Sequence, residues 1–286
     1  MAVIEAKNLV FTYGQGTPFV THAVNNVSFC VNRGEIIGII GHTGSGKSTI
    51  VQMLNGLICP EDGVILLDNN NIHTDFKNLR EVRFKVGLVF QYPEYQLFEE
   101  TAFKDIAYGP RNMGLSENEI YDRVRYAAKS VGLTDELLEK SPFDLSGGEK
   151  RRVAIAGIIA MKPDVLVLDE PTAGLDPKGR DTILSLIKNY RDETNAAVII
   201  VSHSMEDMAK TADKLLVMNK GKIEMFDTVS SVFENAERLT EIGLDIPEVT
   251  KIAVELNKKG FKIPKTIYTV ADMRDAIVSL KGGNGL

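Results

Sequence analysis

The sequence is poor in cysteine and carries no net positive charge. With only two cysteines, Cys30 and Cys59, the chain of 286 residues cannot build a disulfide framework. Each cysteine stands among apolar residues, which predicts two small, reduced core side chains. The formal charge of -6 gives the chain no overall attraction for DNA or RNA, so no nucleic-acid partner is expected.

Long apolar runs are also missing. The longest, such as residues 196–201 (AAVIIV), suit buried strands and fall far short of the ~20 residues that a membrane-spanning helix needs. The first residues lack the basic start and the apolar stretch of a secretory signal, so none is expected. If the protein serves a membrane event, a separate partner must cross the bilayer.

The order of the predicted elements indicates an α/β protein. Continuous apolar runs at 36–40, 165–168 and 198–201 predict central strands that are covered on both faces. Because helices are predicted between them, the sheet should be largely parallel and should bind ligands at the carboxyl ends of its strands. Alternating apolar residues at 27–31 predict a β-rich N-terminal part.

Two other parts of the chain have helical patterns. Residues 91–161 form a predicted helical insertion, within which Ser116 and Glu119 predict a capping box at a helix start. Amphipathic helices are predicted over 247–259 and 269–281. We therefore expect a main domain over residues 1–225, which includes the helical subdomain, and a small helical C-terminal domain over 226–286.

A glycine-rich segment carries the strongest chemical signal. Residues 41–49 (GHTGSGKST) fit the phosphate-binding pattern G-x-x-x-x-G-K-[ST] between a buried strand and a helix. Glycines let backbone N–H groups turn towards phosphates, and the helix adds its positive end. Lys47 would hold the β- and γ-phosphates, and Ser48 would offer its hydroxyl to Mg²⁺. The candidate phosphate-binding residues are Gly41, His42, Thr43, Gly44, Ser45, Gly46, Lys47, Ser48 and Thr49.

Two carboxylates follow the strand at 165–168. An isolated carboxylate at the end of a buried strand is costly, so Asp169 is expected to hold Mg²⁺ directly or through water. Glu170 should point the other way, where it could act as a general base on the attacking water. The alternative for each is an exposed acid at a strand end, or a helix cap.

A second anion site is predicted at 145–149 (LSGGE). Ser146, Gly147 and Gly148 offer a hydroxyl and backbone N–H groups at the start of a helix. The same residues also predict a simple capping box between Ser146 and Glu149. One triphosphate cannot easily fill this site and the glycine-rich loop together.

These segments stand in the order of an ATP-binding cassette, and the chain resembles that family over about its first 225 residues. The resemblance implies a P-loop NTPase core of cassette type that binds ATP and Mg²⁺. It also implies a head-to-tail dimer, in which Ser146, Gly147 and Gly148 of one subunit contact the γ-phosphate held by the other.

The same resemblance gives roles to four single residues. It implies that Tyr13 stacks on adenine and that Gln91 meets Mg²⁺ and the attacking water. It implies that His203 bonds the γ-phosphate and orients Glu170, and that Asp176 links the two active sites of the dimer. Their ordinary alternatives are strand packing, solvated surface, a satisfied core histidine and a helix N-cap, respectively.

Residues 91–110 (QYPEYQLFEETAFKDIAYGP) indicate which group of ATP-binding cassettes the chain resembles. They are similar to the ATPase subunits of energy-coupling factor transporters, which import vitamins and transition-metal ions into prokaryotes, and most similar to the second of two paralogous ATPases. The resemblance implies a paralogous ATPase, or a second copy, as dimer partner. It further implies an integral membrane coupling protein, a membrane protein that captures substrate, and a peripheral position at the cytoplasmic face of the membrane.

An aromatic-rich stretch could receive the coupling protein. It consists of Tyr92, Tyr95, Leu97, Phe98 and Phe103, which could line a groove or simply form the core of the helical subdomain. The C-terminal extension would help to hold the ATPase pair together, by resemblance alone.

Three other functions share most of these residues. One is an ATPase of an ordinary importer that depends on a binding protein, and another is a soluble cassette that works on ribosomes or DNA. A third is a regulatory cassette without turnover, although every expected catalytic position is filled. The transported solute is not encoded here if substrate choice lies in another polypeptide.

Overall fold

The strands of the protein lie in two sheets within the described residues, 2–264 and 266–283 of the computed structural model. The strands are β1 (Ala2–Tyr13), β2 (Thr21–Asn32), β3 (Ile36–Gly41), β4 (Asp62–Leu67), β5 (Asn70–Asn71), β6 (Val86–Val89), β7 (Val165–Asp169), β8 (Ala197–Val201), β9 (Lys214–Asn219) and β10 (Lys222–Thr228). The helices are α1 (Lys47–Leu54), α2 (Leu79–Lys85), α3 (Ala102–Asn112), α4 (Glu117–Ser130), α5 (Asp135–Leu138), α6 (Gly147–Ile159), α7 (Pro177–Thr194), α8 (Met205–Thr211), α9 (Val229–Glu234), α10 (Ala236–Glu241), α11 (Glu248–Lys258) and α12 (Val270–Gly283).

The larger sheet has the order β10-β9-β3-β8-β7-β6 and is parallel except for β10. Its central strand β3 is buried at every position, as its unbroken apolar sequence predicts for a strand covered on both faces. The smaller sheet, β2-β1-β4-β5, is antiparallel. The predicted α/β fold, with a largely parallel sheet and a β-rich N-terminal part, is confirmed.

This topology brings the chemical segments to one edge. Strands β3, β8, β7 and β6 are parallel neighbours, so their carboxyl ends meet at the same edge of the sheet. The glycine-rich loop follows β3, Glu170 follows β7, His203 follows β8 and Gln91 follows β6. Residues far apart in sequence therefore surround one space.

Helices α3, α4 and α6 form the helical part. Both predicted capping boxes are present: Ser116 with Glu119 begins α4, and Ser146 with Glu149 begins α6. Buried apolar residues of these helices share one core with the face of the large sheet. Residues 145–149, the predicted second anion site, therefore lie at the start of a helix that packs in the core.

The C-terminal segment belongs partly to the main core. Phe233, Leu239 and Leu244 are buried in the same apolar cluster as the large sheet, whereas α11 and α12 enclose a small cluster around Ala253 and Met273. The helix bounds are close to the predicted ones. The division of the chain at 225 and 226 stays a proposal.

The expectation that both cysteines lie in the core is wrong. Cys30 and Cys59 are exposed. Strand residues alternate between faces, so Cys30 faces outward because Phe29 and Val31 on either side of it face the core. Cys59 lies in the loop between α1 and β4. Among the described helices, none has both the length and the apolar character to cross a membrane.

Candidate functional site

A cavity of about 440 Å³ opens at the carboxyl edge of the large sheet. Its lining is Tyr13, Thr21, Ala23, Thr43, Gly44, Gly46, Lys47, Ser48, Thr49, Gln91, Asp169, Glu170, Val201 and His203. Eleven of these residues are site residues that the sequence predicted. The structure therefore brings together the glycine-rich loop, both carboxylates, the glutamine, the histidine and the tyrosine.

The glycine-rich loop is shaped by close backbone approaches. Gly46 has φ of +103°, and a Cβ at this position would lie 2.1 Å from the carbonyl oxygen of Ala23. At Gly41, φ is +154° and a Cβ would lie 2.4 Å from the carbonyl oxygen of Met218. Only glycine fits such contacts, so the glycines of the pattern are required by the fold as well as by phosphates.

Lys47 lies inside the loop with 6% of its surface exposed. Its Nζ atom donates hydrogen bonds to the carbonyl oxygens of Gly41 at 2.6 Å and His42 at 2.8 Å. Burial lowers the pKa of Lys47, and the charges of Glu170 and Asp169 oppose that effect. A buried ammonium held by loop carbonyls is well placed to bind an anion that enters the cavity.

Two buried oxygens at the site lack a hydrogen-bond partner among the described residues. They are the hydroxyl oxygen of Ser45 and Oε1 of Glu170. The Nε2 atom of His203 is 3.2 Å from that Oε1, but the contact lacks hydrogen-bond geometry. Unpaired buried polar atoms are rare in native proteins, and the Glu170 carboxylate, which lines the cavity, fits a site that is completed by a polar ligand.

The two carboxylates at the end of β7 differ in their surroundings. Burial raises the pKa of Asp169, while the nearby Ser48 hydroxyl, Lys47 and His203 act to lower it. Burial raises the pKa of Glu170 further, to about 7, although its Oε2 atom accepts a hydrogen bond from the His203 backbone at 3.4 Å. A carboxyl with a pKa near 7 suits acid–base chemistry at neutral pH.

The backbone turns sharply at Glu170. Its φ of 52° is left-handed, which is strained for a residue with a side chain. The backbone N–H of Glu170 donates to the carbonyl oxygen of Val201 at 3.0 Å, so the turn is anchored to β8. Asp169 and Glu170 both line the cavity on either side of this turn, and the predicted division of their roles stays a prediction.

The cavity rim holds His203, Gln91 and Tyr13. Half of the His203 side chain, 55%, is exposed, so it is not a core histidine. Burial lowers the pKa of His203, and the positive charge of Lys47 adds to this effect. The hydroxyl of Tyr13 is 3.4 Å from Oγ1 of Thr49, and 45% of the tyrosine is exposed. An open aromatic face at the rim fits a planar base.

Several sequence-predicted residues do not line the cavity. Gly41, His42 and Ser45 belong to the loop but are not among the residues that line the cavity. Ser146, Gly147, Gly148 and Asp176 lie elsewhere on the same chain. Ser146 caps α6, and Asp176 caps α7 through a 2.7 Å hydrogen bond from the Gly179 N–H. Within one chain, the two predicted anion sites therefore do not meet.

Sequence reasoning missed a buried ion pair behind the site. The Arg151 side chain on α6 is 3% exposed and donates to both carboxylate oxygens of Glu94, at 2.8 and 3.1 Å. It also donates to the carbonyl oxygens of Pro171 and Ala173, at 3.3 and 2.6 Å. The guanidinium of Arg151 thus connects α6 with the segment after Gln91 and with the loop after Glu170.

Breaking this pair should destabilise the protein strongly. We expect Arg151→Met to lower the free energy of unfolding by about 3–5 kcal/mol, because it leaves Glu94 and two carbonyl oxygens unpaired in the interior. The matched control is Arg125→Met, which breaks the exposed pair of Arg125 with Asp135 and should change stability far less. Urea denaturation of both variants measures the difference; equal losses would contradict the assigned role of Arg151.

Comparisons with known proteins agree with this geometry. A protein-family model described as ABC transporter matches residues 24–173. Among curated proteins, the chain is 54% identical over 275 residues to the energy-coupling factor transporter ATP-binding protein EcfA2 of Caldanaerobacter subterraneus subsp. tengcongensis, covering 96% of each chain. It is 53% identical over 288 residues to the protein of the same name from Clostridioides difficile, covering 100% of both.

Solved structures give the same picture. The chain superposes with a TM-score of 0.76 and 36% identity on cbiO1 from Clostridium perfringens, described as part of the ABC transporter complex cbiONQ, covering 90% of this chain and 99% of that one. It also matches MJ0796, described as a bacterial ABC transporter cassette in a dimeric structure, with a TM-score of 0.71 and 29% identity, covering 79% of this chain and 98% of that one.

Proposed function

Because this chain belongs to the ABC transporter family, and within it to the EcfA2 ATP-binding proteins of energy-coupling factor transporters, we propose that it works as one of two paired cassettes that drive solute import through separate membrane subunits. It is an ATP-binding, ATP-hydrolysing subunit of such a transporter. The cavity at the carboxyl edge of the sheet is the site we assign to the nucleotide.

The phosphates of ATP are assigned to the glycine-rich loop and to Lys47. The loop N–H groups and the start of α1 provide partial positive charge, and the Nζ atom of Lys47, held in place by its loop carbonyls, would bind the β- and γ-phosphates. Tyr13 at the rim would stack on adenine through its exposed face. The burial of Lys47 in the wall of the cavity supports this assignment.

Mg²⁺ is assigned to Ser48, Gln91 and Asp169. Their hydroxyl, amide and carboxylate oxygens are the hard ligands that Mg²⁺ prefers, and all three residues line the cavity. The described residues hold no cluster of three His, Cys, Asp or Glu side chains suited to a metal, so phosphate oxygens and water must complete the shell. When bound, Mg²⁺ neutralises charge on the phosphates.

Glu170 is assigned as the general base. Glu170 lines the cavity and its buried Oε1 atom has no hydrogen-bond partner among the described residues, so the carboxylate would accept a proton from an attacking water. His203 would bond the γ-phosphate through its exposed ring and orient Glu170 through its backbone N–H. Glu170 and His203 together would align the attacking water with the γ-phosphate.

The working site is proposed to form between two chains. The observation that carries this proposal is the position of Ser146, Gly147 and Gly148, which start α6 but do not line the cavity of their own chain. A head-to-tail pair would bring these N–H groups to the γ-phosphate held by Lys47 of the mate, with Asp176 near the contact. The mate is a paralogous ATPase or a second copy of this chain.

A larger groove offers a place for the membrane coupling protein. It has a volume of about 650 Å³ and lies between α2, α3, α6 and the segment that follows Gln91. Leu97 and Phe98 of the aromatic-rich stretch line it, Tyr95 is exposed nearby, and Phe103 packs on the core. A helix of the coupling protein would lie in this groove at the cytoplasmic face of the membrane.

Isolation of the tagged full chain from solubilised membranes tests the proposed function. We expect a second cassette protein, an integral coupling protein and a small substrate-capture membrane protein to co-purify. The matched control is a Phe98→Asp variant, which places a charge in the groove and should release the membrane proteins while the second cassette stays bound. Recovery with an extracytoplasmic binding protein instead would assign the chain to an ordinary importer and contradict the proposal.

A further inference from the structure

The phosphate-binding loop contacts a segment 200 residues further along the chain. The Nε2 atom of His42 hydrogen-bonds to the carbonyl oxygen of Ile242. A carbonyl oxygen only accepts, so Nε2 must carry the hydrogen. Gly243 lies against the same ring: a Cβ there would be 3.1 Å from Cε1 and 3.4 Å from Nε2. The His42 side chain is therefore engaged with the turn after α10 rather than with the cavity.

The backbone of His42 is part of the phosphate-binding machinery. Its carbonyl oxygen accepts hydrogen bonds from Nζ of Lys47 at 2.8 Å and from the backbone N–H of Ser45 at 3.1 Å. His42 therefore bonds to Ile242 through its side chain, and to Lys47 and Ser45 of the loop through its backbone carbonyl oxygen. A displacement of His42 would displace an acceptor of Lys47.

The turn that receives His42 is rigidly built. Leu239 and Leu244 on either side of it are buried in the main core, with 0% and 7% of their surfaces exposed. The Gly243 N–H donates to the carbonyl oxygen of Thr240 at 2.8 Å, and the Leu244 N–H donates to that of Leu239 at 2.8 Å. Gly243 adopts a φ of +74°, which favours glycine. The turn is a fixed anchor for the loop.

We propose that His42 is a positioning residue through which the turn after α10 holds the phosphate-binding loop in its nucleotide-binding shape. The segment at 239–244 then sets the ATP affinity of the chain, although none of its residues lines the cavity. Because coupling between sites is reciprocal, a movement of α10 changes ATP affinity and bound ATP resists that movement. This inference rests on the proposed assignment of the ATP phosphates to the loop.

A pair of glycine substitutions tests the contact. Gly243 and Gly260 both have positive φ and both lie in the C-terminal segment, but a Cβ at Gly260 would meet nothing within 4 Å. We expect Gly243→Ala to weaken the binding of a fluorescent ATP analogue to the full chain with Mg²⁺ by about five- to tenfold, the worth of one hydrogen bond. Gly260→Ala should bind like the wild type.

Substitutions of His42 test whether the effect passes through this side chain. His42→Leu should weaken binding about as much as Gly243→Ala, and His42→Gln, which keeps a donor, should recover part of the loss. In the His42→Leu background, Gly243→Ala should add no further loss, because both changes break the same contact. Thermal unfolding of each variant separates loss of affinity from loss of fold.

Each result bears on the inference. The inference would be overturned if His42→Leu bound the ATP analogue with wild-type affinity. It would also be overturned if Gly243→Ala and Gly260→Ala lost equal affinity, or if the losses in the double variant were additive. If Gly243→Ala fails to fold, the comparison of His42→Leu with His42→Gln still decides. Failure of the wild-type chain to bind the analogue would instead contradict the proposed ATP site, so the two failures are distinguishable.

Discussion

Glu170→Gln is expected to lower the rate of ATP hydrolysis by about 10²–10⁴-fold, the usual contribution of a general base. Glutamine keeps the shape of the side chain but has no basic oxygen at neutral pH. ATP affinity should be retained or should rise, since the change removes a negative charge near the phosphates. Steady-state phosphate release, with equilibrium binding of ATP, measures both effects.

A second acidic residue near the site provides the control for this variant. Glu206 on α8 is exposed and does not line the cavity. Glu206→Gln should hydrolyse ATP at the wild-type rate. Unchanged hydrolysis in Glu170→Gln would remove Glu170 from the role of base, and loss of ATP binding would show that its carboxylate serves the fold of the site.

Lys47→Met is expected to weaken ATP binding by about 10–100-fold, because charge-assisted hydrogen bonds to the phosphates are lost. Hydrolysis at subsaturating ATP should fall at least as far. The loss of stability should be small: the carbonyl oxygens of Gly41 and His42 lose their donor, but methionine fills a similar volume and the change removes a buried cation whose pKa is lowered by burial. The expected pattern is a large loss of affinity with a chain that still folds cooperatively.

An exposed lysine gives the comparison for this second variant. Lys129 on α4 lies outside the cavity, and Lys129→Met should bind ATP like the wild-type chain. Isothermal titration with ATP and Mg²⁺ compares the two variants directly. If Lys47→Met and Lys129→Met bind ATP with equal affinity, the phosphates do not bind at Lys47.

The sequence predicted the local features of this molecule well. The unbroken apolar run of β3, the capping boxes of α4 and α6, and the acidic pair that ends β7 each depend on neighbours in sequence. Because parallel strands place their carboxyl ends at one edge, the site at Lys47, Asp169 and Glu170 followed from the same patterns. The site is therefore largely readable from its motifs.

Contacts between side chains that are far apart in the chain could not be predicted from the sequence. Arg151 and Glu94 are charged residues whose burial depends on partners far away in sequence, namely each other and, for Arg151, two loop carbonyl oxygens. His42 is a variable position of its motif that contacts Ile242 across 200 residues. Cys30 was misplaced for a different reason: the prediction followed its apolar neighbours and not the alternation at 27–31, which puts Cys30 on the face opposite to Phe29 and Val31. The two long-range pairs depend on tertiary packing, which no local pattern encodes.

The mass of the Glu170→Gln chain in solution with saturating ATP and Mg²⁺ tests the central claim, that two cassettes share each nucleotide. Light scattering is measured on this variant alone and on its mixture with the cognate paralogue. At least one of the two samples should give particles of about twice the 31.5 kDa of one chain, and these should return to single chains when Ser146→Arg blocks the contact. Particles of single-chain mass in every mixture would contradict the account.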